Sequence, residues 1–163
     1  MAGLEDLYRE IILDHYRSPR NRGELEVPPA QKVEGFNPLC GDEVVLYLEV
    51  DPDTDTVRDI KIAGQGCSIS QASTSMMSAA VKGKTVAEVR KLIRAFKALM
   101  SIHESKLEGE SDGSDLASEL DGVRLGDLEA LQGVVKFPVR IKCATLAWNT
   151  LQQGLDEAEL TTA

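Results

Sequence analysis

The chain has 163 residues, of which 42% are hydrophobic and 28% charged, and this length predicts one domain over residues 1–163 that buries a core without disulfide or metal support. Its 27 acidic and 18 basic side chains give a net charge of -9, and only 4% of the residues are aromatic. Nucleic-acid binding needs clustered positive charge, and a membrane span needs about 20 consecutive apolar residues. We therefore expect neither a nucleic-acid nor a membrane partner.

The first half of the chain predicts one helix followed by short strands. Apolar residues recur at helical spacing over residues 4–17, which predicts an amphipathic helix that ends before a Ser-Pro pair. Residues 33–37 form a candidate short strand. Alternating apolar residues then predict two strands over residues 43–50 and 57–63, joined by a turn rich in Asp, which together form a β-hairpin.

The second half of the chain predicts three longer helices. Small residues over 68–81 predict a close-packed helix that ends near Gly83. The next helix begins with a capping box after Thr85 and is expected to reach about Ile102. Pro138 suits the first turn of a final helix, which is expected to end near Gly154.

An acidic segment over residues 104–129 separates the last two of these helices. It holds nine Asp or Glu residues against Lys106 and Arg124, so it carries most of the net negative charge of the chain. Its Gly and Ser content predicts a solvated loop that grades into a short helix near 127–131. A loop that contacts a partner is the alternative.

Three cysteines and one aspartate are the candidate chemical groups. Three thiols cannot all pair within one chain, which predicts a reducing, cytoplasmic location. Cys40 and Asp42 flank a glycine, so both side chains leave the same face of an extended segment. Cys67 lies where a glycine-rich strand end meets a helix, and exposed N–H groups there favour a thiolate. Each residue taken alone is also compatible with a structural role, as a small buried side chain or a turn residue.

The charge around Cys143 gives these residues a common explanation. Arg140 and Lys142 precede Cys143 near the start of a helix, where positive charge opposes the helix dipole. Three thiolates and one carboxylate on a divalent ion carry a charge of -2, which those two side chains could offset. Zinc accepts sulfur and oxygen ligands of this kind, although the spacing is not that of a standard zinc finger.

Four segments of the sequence resemble the SufU group of the NifU/IscU superfamily of iron-sulfur assembly proteins. The three signature segments are NPLCGDEV (37–44), GQGCSISQASTSMM (64–77) and PVRIKCATLAW (138–148), and the opening LYREIILDHYRSPRNRG (7–23) is similar as well. The resemblance implies an α+β fold in which helices pack on a small antiparallel β-sheet of about three strands. The acidic residues 104–123 resemble the insertion that distinguishes this group from IscU-type scaffolds.

The resemblance also implies a set of site residues. Cys40, Asp42, Cys67 and Cys143 match the ligands of the family's zinc site, and Arg140 matches an arginine beside that site that is associated with function. IscU-type scaffolds carry a histidine immediately before the last cysteine, where this chain has Lys142. The two histidines of this chain, His15 and His103, lie outside the motifs and are expected at the surface or in helix packing.

The implied function is sulfur transfer for iron-sulfur cluster assembly. Cys40 would accept persulfide sulfur from a SufS-type cysteine desulfurase, whose histidine replaces Cys40 on zinc during docking, and downstream iron-sulfur assembly proteins would receive the sulfur. Two alternatives stay open. The same ligands could hold iron and a transient iron-sulfur cluster, as in a scaffold, or could form a structural zinc module that only binds a partner.

Overall fold

The computed structural model describes the backbone of residues 4–27, 30–38, 41–108, 128, 130–131 and 138–162. In chain order these ranges contain α1 (Leu4–Arg17), β1 (Gln31–Asn37), β2 (Asp42–Asp51), β3 (Thr56–Gln65), α2 (Ser68–Val81), α3 (Val86–Glu108) and α4 (Pro138–Thr162). The predicted α+β class is confirmed, and α1 and α2 have the predicted bounds. None of the helices in the described ranges is long and apolar enough to cross a membrane.

The three strands form an antiparallel sheet in the order β1-β2-β3. The predicted alternation holds in β2, where Val44, Leu46 and Leu48 are buried on the face that the helices cover. At the end of the β1-β2 pair where the two strands are connected, Asn37 lies opposite Asp42 in the strand register. The four residues between them, 38–41, form the connection that contains Cys40.

Helix α2 lies at the centre of the helical layer because its small side chains let neighbours approach closely. Most of its residues are buried, and it packs against both α1 and α4. The ring of Phe96 on α3 stacks on Trp148 of α4, with ring centroids 4.6 Å apart. The buried indole nitrogen of Trp148 donates a hydrogen bond to Ser73 of α2, 3.2 Å away. The core therefore fixes α2 and α4 to each other.

Two predicted helix ends are wrong, and the reasons are physical. Helix α4 continues past Gly154 to Thr162. A Cβ at position 154 would lie 2.8 Å from a methyl carbon of Val33, so this glycine permits close packing of α4 on β1 and does not end the helix. Helix α3 passes Ile102 and ends at Glu108, since no glycine or proline interrupts the sequence before Gly109.

The acidic segment differs in part from the predicted solvated loop. Its first residues, 104–108, belong to α3, and most of the remainder, including the expected insertion up to 123, lies outside the described residues. At its far end Leu128, Ala130 and Leu131 are buried in the hydrophobic core. This end of the segment therefore packs against the domain.

Strand β3 also continues further than predicted, through Gly64 to Gln65. Gly64 lies opposite Val44 with a φ of +113°, and a Cβ there would lie 2.1 Å from the carbonyl oxygen of Glu43. Only glycine allows the two strands to come this close. The consequence is that the end of β3 delivers Cys67 directly beside the first residue of β2.

Candidate metal centre

Three of the four predicted ligands meet at one end of the domain. Asp42 begins β2, Cys67 immediately precedes α2, and Cys143 lies in the second turn of α4. One carboxylate oxygen and the two sulfur atoms all lie within 4.8 Å of one another. Cys40, the fourth predicted ligand, lies outside the described residues, and it occupies the connection that leads into Asp42.

Cys67 caps the N-terminus of α2. Its backbone is extended, and the N–H of Ser70 in the first turn donates to its Sγ at 3.4 Å. An N-cap side chain normally satisfies one of the backbone N–H groups that the first helical turn leaves without a partner. A thiolate at this position also gains from the positive end of the helix dipole.

Asp42 is fully buried and hydrogen-bonded through both carboxylate oxygens. Oδ1 accepts from the backbone N–H of Cys67 at 2.9 Å, and Oδ2 accepts from Nδ2 of Asn37 at 3.3 Å. A Cβ on Gly66 would lie 2.5 Å from Oδ1 and 3.1 Å from the Cα of Asp42. The glycine therefore leaves the space that the carboxylate occupies.

Arg140 faces the two thiols from the first turn of α4. The negative charge of a Cys67 thiolate raises the pKa of Arg140 above its usual value, and hydrogen bonds to Cys143 and Cys67 act in the same direction. The guanidinium is exposed, whereas Cys143 is fully buried. Lys142 is exposed two residues later. A cation thus stands beside the sulfur atoms, where part of their charge is neutralised.

The donor set fits zinc. When ionised, the two thiols and the carboxylate carry three negative charges, and Arg140 offsets one of them. Sulfur and carboxylate oxygen are ligands that zinc takes in proteins, and a fourth position is open to Cys40. Asp42 and Cys143 are buried and Cys67 is partly buried, and anionic groups this close together repel one another unless a cation lies between them. The same donors could also bind iron.

Asn37 is a residue of this site that the sequence motifs alone did not single out. Its amide nitrogen donates to Asp42 Oδ2 and lies 3.7 Å from Cys143 Sγ. The available signal was its position five residues before Asp42 across a short strand connection. Of the two histidines, His15 is buried in helix packing, with Nδ1 2.8 Å from Ser75 Oγ, and the side chain of His103 lies outside the described residues.

The start of the central strand and the starts of two helices thus supply a carboxylate and two thiols that could hold a metal ion, which places the chain among small α+β domains with a candidate thiolate metal site. The profile of the NifU-like N terminal domain family matches residues 7–143. The chain belongs to this family.

Named relatives support the resemblance predicted from the signature segments. The zinc-dependent sulfurtransferase SufU of Bacillus subtilis (strain 168) is 43% identical over 158 residues, which cover 97% of this chain and 95% of that protein. The iron-sulfur cluster assembly scaffold protein IscU of Streptococcus pyogenes serotype M1 is 39% identical over 155 residues, which cover 95% of this chain and 86% of that protein.

A solved structure shows the same fold. The crystal structure of the scaffold protein FiSufU of the SUF system, from Fervidobacterium Islandicum AW-1, superposes with a TM-score of 0.65 at 34% identity. The match covers 92% of this chain and 97% of that one. The predicted resemblance to SufU is therefore confirmed along nearly the whole sequence.

Proposed function

We propose that this chain is a zinc-dependent acceptor and carrier of persulfide sulfur in iron-sulfur cluster assembly. Its sulfur donor would be a SufS-type cysteine desulfurase, and its recipients would be downstream assembly proteins in the cytoplasm. The observation that carries the proposal is the meeting of Asp42, Cys67 and Cys143 within 4.8 Å, with Arg140 facing both thiols. The 43% identity to a protein named as a zinc-dependent sulfurtransferase supports the same function.

The metal ligands would be Cys40, Asp42, Cys67 and Cys143. When bound, zinc keeps its cysteine ligands deprotonated at neutral pH, where an unperturbed thiol with a pKa of about 8.5 is mostly protonated. The backbone N–H groups at the start of α2 and the amide of Asn37 hold three of these side chains in place. The role of Cys40 rests on the resemblance of its NPLCGDEV segment.

Cys40 would accept sulfur by thiol-disulfide exchange. Its thiolate attacks the outer sulfur of the desulfurase persulfide, so that a new sulfur-sulfur bond forms on Cys40. The sulfur-sulfur bond of the donor breaks, and the donor cysteine leaves as a thiolate with the electron pair. Sulfur changes carrier without a net oxidation or reduction, so no further reactant is needed.

Arg140 would stabilise negative charge on sulfur during this exchange. A guanidinium stays charged at every accessible pH and is exposed here, so it can face an incoming persulfide. It already faces Cys67 and Cys143.

A scaffold for a nascent iron-sulfur cluster is the second candidate function. The 39% identity to a protein named as an IscU scaffold favours it, and the same cysteines could bind iron. The two functions differ in what the purified chain should contain and in where sulfur should be found.

The deciding experiment is anaerobic purification, metal analysis and a sulfur-transfer assay. The chain is incubated with a SufS-type desulfurase and L-cysteine, and persulfide is located by mass spectrometry in the wild type and in Cys40→Ala. We expect bound zinc, persulfide on Cys40, and loss of desulfurase stimulation in the variant. A stoichiometric iron-sulfur chromophore that transfers to an acceptor would favour the scaffold. Zinc with neither persulfide nor stimulation would favour a structural module.

Arg140 is tested with a neighbouring cation as its control. We expect Arg140→Ala to lower the rate of sulfur transfer while Lys142→Ala leaves it close to wild type, because Arg140 makes hydrogen bonds to both thiols and Lys142 is exposed. Zinc content is measured in both variants. Equal rates for the two variants would contradict a specific role of Arg140.

A further inference from the structure

We propose that Asn37 is a positioning residue of the metal centre, whose side-chain amide holds Asp42 and Cys143 in the geometry that binds the ion. The inference rests on the proposed metal binding and adds a residue to it. Asn37 is the last residue of β1 and only 6% exposed, and it lies opposite Asp42 in the strand register. Its amide nitrogen is 3.3 Å from Asp42 Oδ2 and 3.7 Å from Cys143 Sγ.

The chemistry of the two acceptors fixes which way this amide points. An ionised carboxylate and a thiolate can only accept hydrogen bonds, and the NH₂ group of an asparagine has two donors. The opposite orientation would place the amide oxygen against two negative groups. Asn37 therefore joins the start of β2 to α4 through one nitrogen atom that serves both ligands.

A neutral donor has an advantage over a cation in this position. An Arg or Lys side chain would offset the negative charge that attracts the metal ion, as Arg140 does in part from the exposed side. The amide of Asn37 supplies hydrogen bonds and adds no net charge. It orients the ligands and leaves the net negative charge of the site unchanged.

The hydrogen bonds of Asp42 fix its side chain and still leave it able to bind. The N–H of Cys67 occupies one lone pair of Oδ1, and Asn37 occupies one lone pair of Oδ2. Each carboxylate oxygen has a second lone pair available for an ion. Groups that orient metal ligands in this way commonly change metal affinity by about 10- to 100-fold when they are removed.

Asn37 and Asp42 flank the connection 38–41, which carries Cys40. Their hydrogen bond therefore joins the two strand ends on either side of it. If Cys40 leaves the metal to accept sulfur, the remaining ligands must stay in place. Asn37 bonds two of those three ligands directly, so it is suited to hold the centre together while Cys40 reacts.

The test compares Asn37→Leu, which keeps a similar volume but has no donor, with Ser75→Ala. Ser75 is a matched control because it is also buried and also makes two hydrogen bonds, to His15 and to the N–H of Arg20, which lie on α1 and in the segment after it. Zinc affinity is measured by competition with a chromophoric chelator, and the cobalt-substituted proteins are examined by absorption spectroscopy.

We expect Asn37→Leu to weaken zinc binding about 10- to 100-fold. Its thiolate-to-cobalt charge-transfer band should move to lower energy, because the sulfur of Cys143 loses a hydrogen bond. Asn37→Gln, which keeps the amide, should restore most of the band position. Ser75→Ala should lower the melting temperature and leave zinc affinity and the cobalt spectrum unchanged.

Zinc affinity and a cobalt spectrum that are the same in Asn37→Leu and the wild type would overturn the role of Asn37. If the leucine variant does not fold, Asn37→Ser is used, since a serine is too short to bond both ligands, and an unchanged spectrum there has the same meaning. A wild-type chain that binds neither zinc nor cobalt would overturn the proposed metal centre itself. The two failures are thus distinguishable.

Discussion

Helix α2 has a polar cluster near each end, and the two clusters have opposite chemistry. Toward its C-terminal end, Ser75 Oγ lies 2.8 Å from Nδ1 of His15 and accepts the N–H of Arg20 at 2.8 Å, and Ser78 Oγ accepts from the amide of Asn21 at 3.1 Å. At its N-terminal end, Cys67 meets Asp42 and Cys143. Both clusters are largely buried, and both join α2 to other parts of the chain.

The difference lies in the balance of donors and acceptors. Serine hydroxyls both donate and accept, so the serine cluster satisfies its groups from within the chain. Ionised thiols and carboxylates only accept, and three of them meet at the other end with Arg140 as the facing cation. Buried polar groups of the first kind stabilise a fold, whereas groups of the second kind need a cation. This difference is what separates a structural network from a candidate site.

The largest effect is expected when a ligand is removed. We expect Cys143→Ala to weaken zinc binding by more than about 100-fold, beyond the usual effect of removing a group that only orients a ligand. The metal-free protein should still fold, because alanine is small and apolar and position 143 is fully buried. Chelator competition and urea unfolding of the metal-free chain measure the two effects. Unchanged zinc affinity would remove Cys143 from the site.

The reverse behaviour is expected in the serine cluster. Ser75→Ala removes the hydroxyl that bonds the N–H of Arg20 and Nδ1 of His15, and the loss of a buried hydrogen bond costs about 1–3 kcal/mol. We expect the free energy of unfolding to fall by that amount, measured by urea denaturation, while zinc affinity stays at the wild-type value. A parallel loss of zinc binding would mean that the two clusters are coupled.

The sequence predicted most of the fold because local patterns determine most of its elements. Apolar spacing gave α1, and small residues between glycines gave α2, each with the observed bounds. The prediction failed where a glycine serves tertiary packing. Gly154 has the local sequence of a helix end, but it lies within α4, where Val33 occupies the space that a Cβ would take. Such contacts between distant segments leave no local pattern.

The site was predictable in its residues but not in its geometry. Asp42, Cys67 and Cys143 come from a strand and the starts of two helices, and spacing alone could not show that they meet. The family resemblance supplied that expectation. Asn37 was missed as a contact because its hydrogen bonds depend on strand register and on the position of α4, which are both properties of the folded chain.

A smaller effect is expected when a neighbour of Asp42 in the metal centre is enlarged. In Gly66→Ala the new Cβ would lie 2.5 Å from Asp42 Oδ1, so we expect the carboxylate to move and zinc binding to weaken by about 10-fold. Gly83→Ala is the control, because it also places alanine at a positive φ but contacts nothing within 4 Å. It should lower stability without changing zinc affinity. Equal zinc affinities in the two variants would show that Asp42 tolerates the displacement.

The smallest effect is expected where opposite charges already pair at the surface. Nη2 of Arg58 lies 3.0 Å from Oδ2 of Asp51, and its hydrogen bond lowers the pKa of that carboxyl below the usual 3.8. A carboxyl whose pKa is lower in the folded state binds fewer protons there than in the unfolded chain. Its contribution to stability is therefore complete above about pH 3.8 and is lost as the pH falls through the folded pKa.

Arg58→Ala should accordingly lower the melting temperature of the metal-free protein slightly at neutral pH, and the difference from wild type should shrink as the pH falls below 3.8. Melting is followed by circular dichroism over a pH series, on metal-free protein because ligand protonation itself releases zinc. A difference that persists in acid would indicate packing of the arginine stem. Because Asp51 ends β2 and Asp42 begins it, this change should leave zinc affinity as it is, in contrast to every change that reaches Asp42, Cys67 or Cys143.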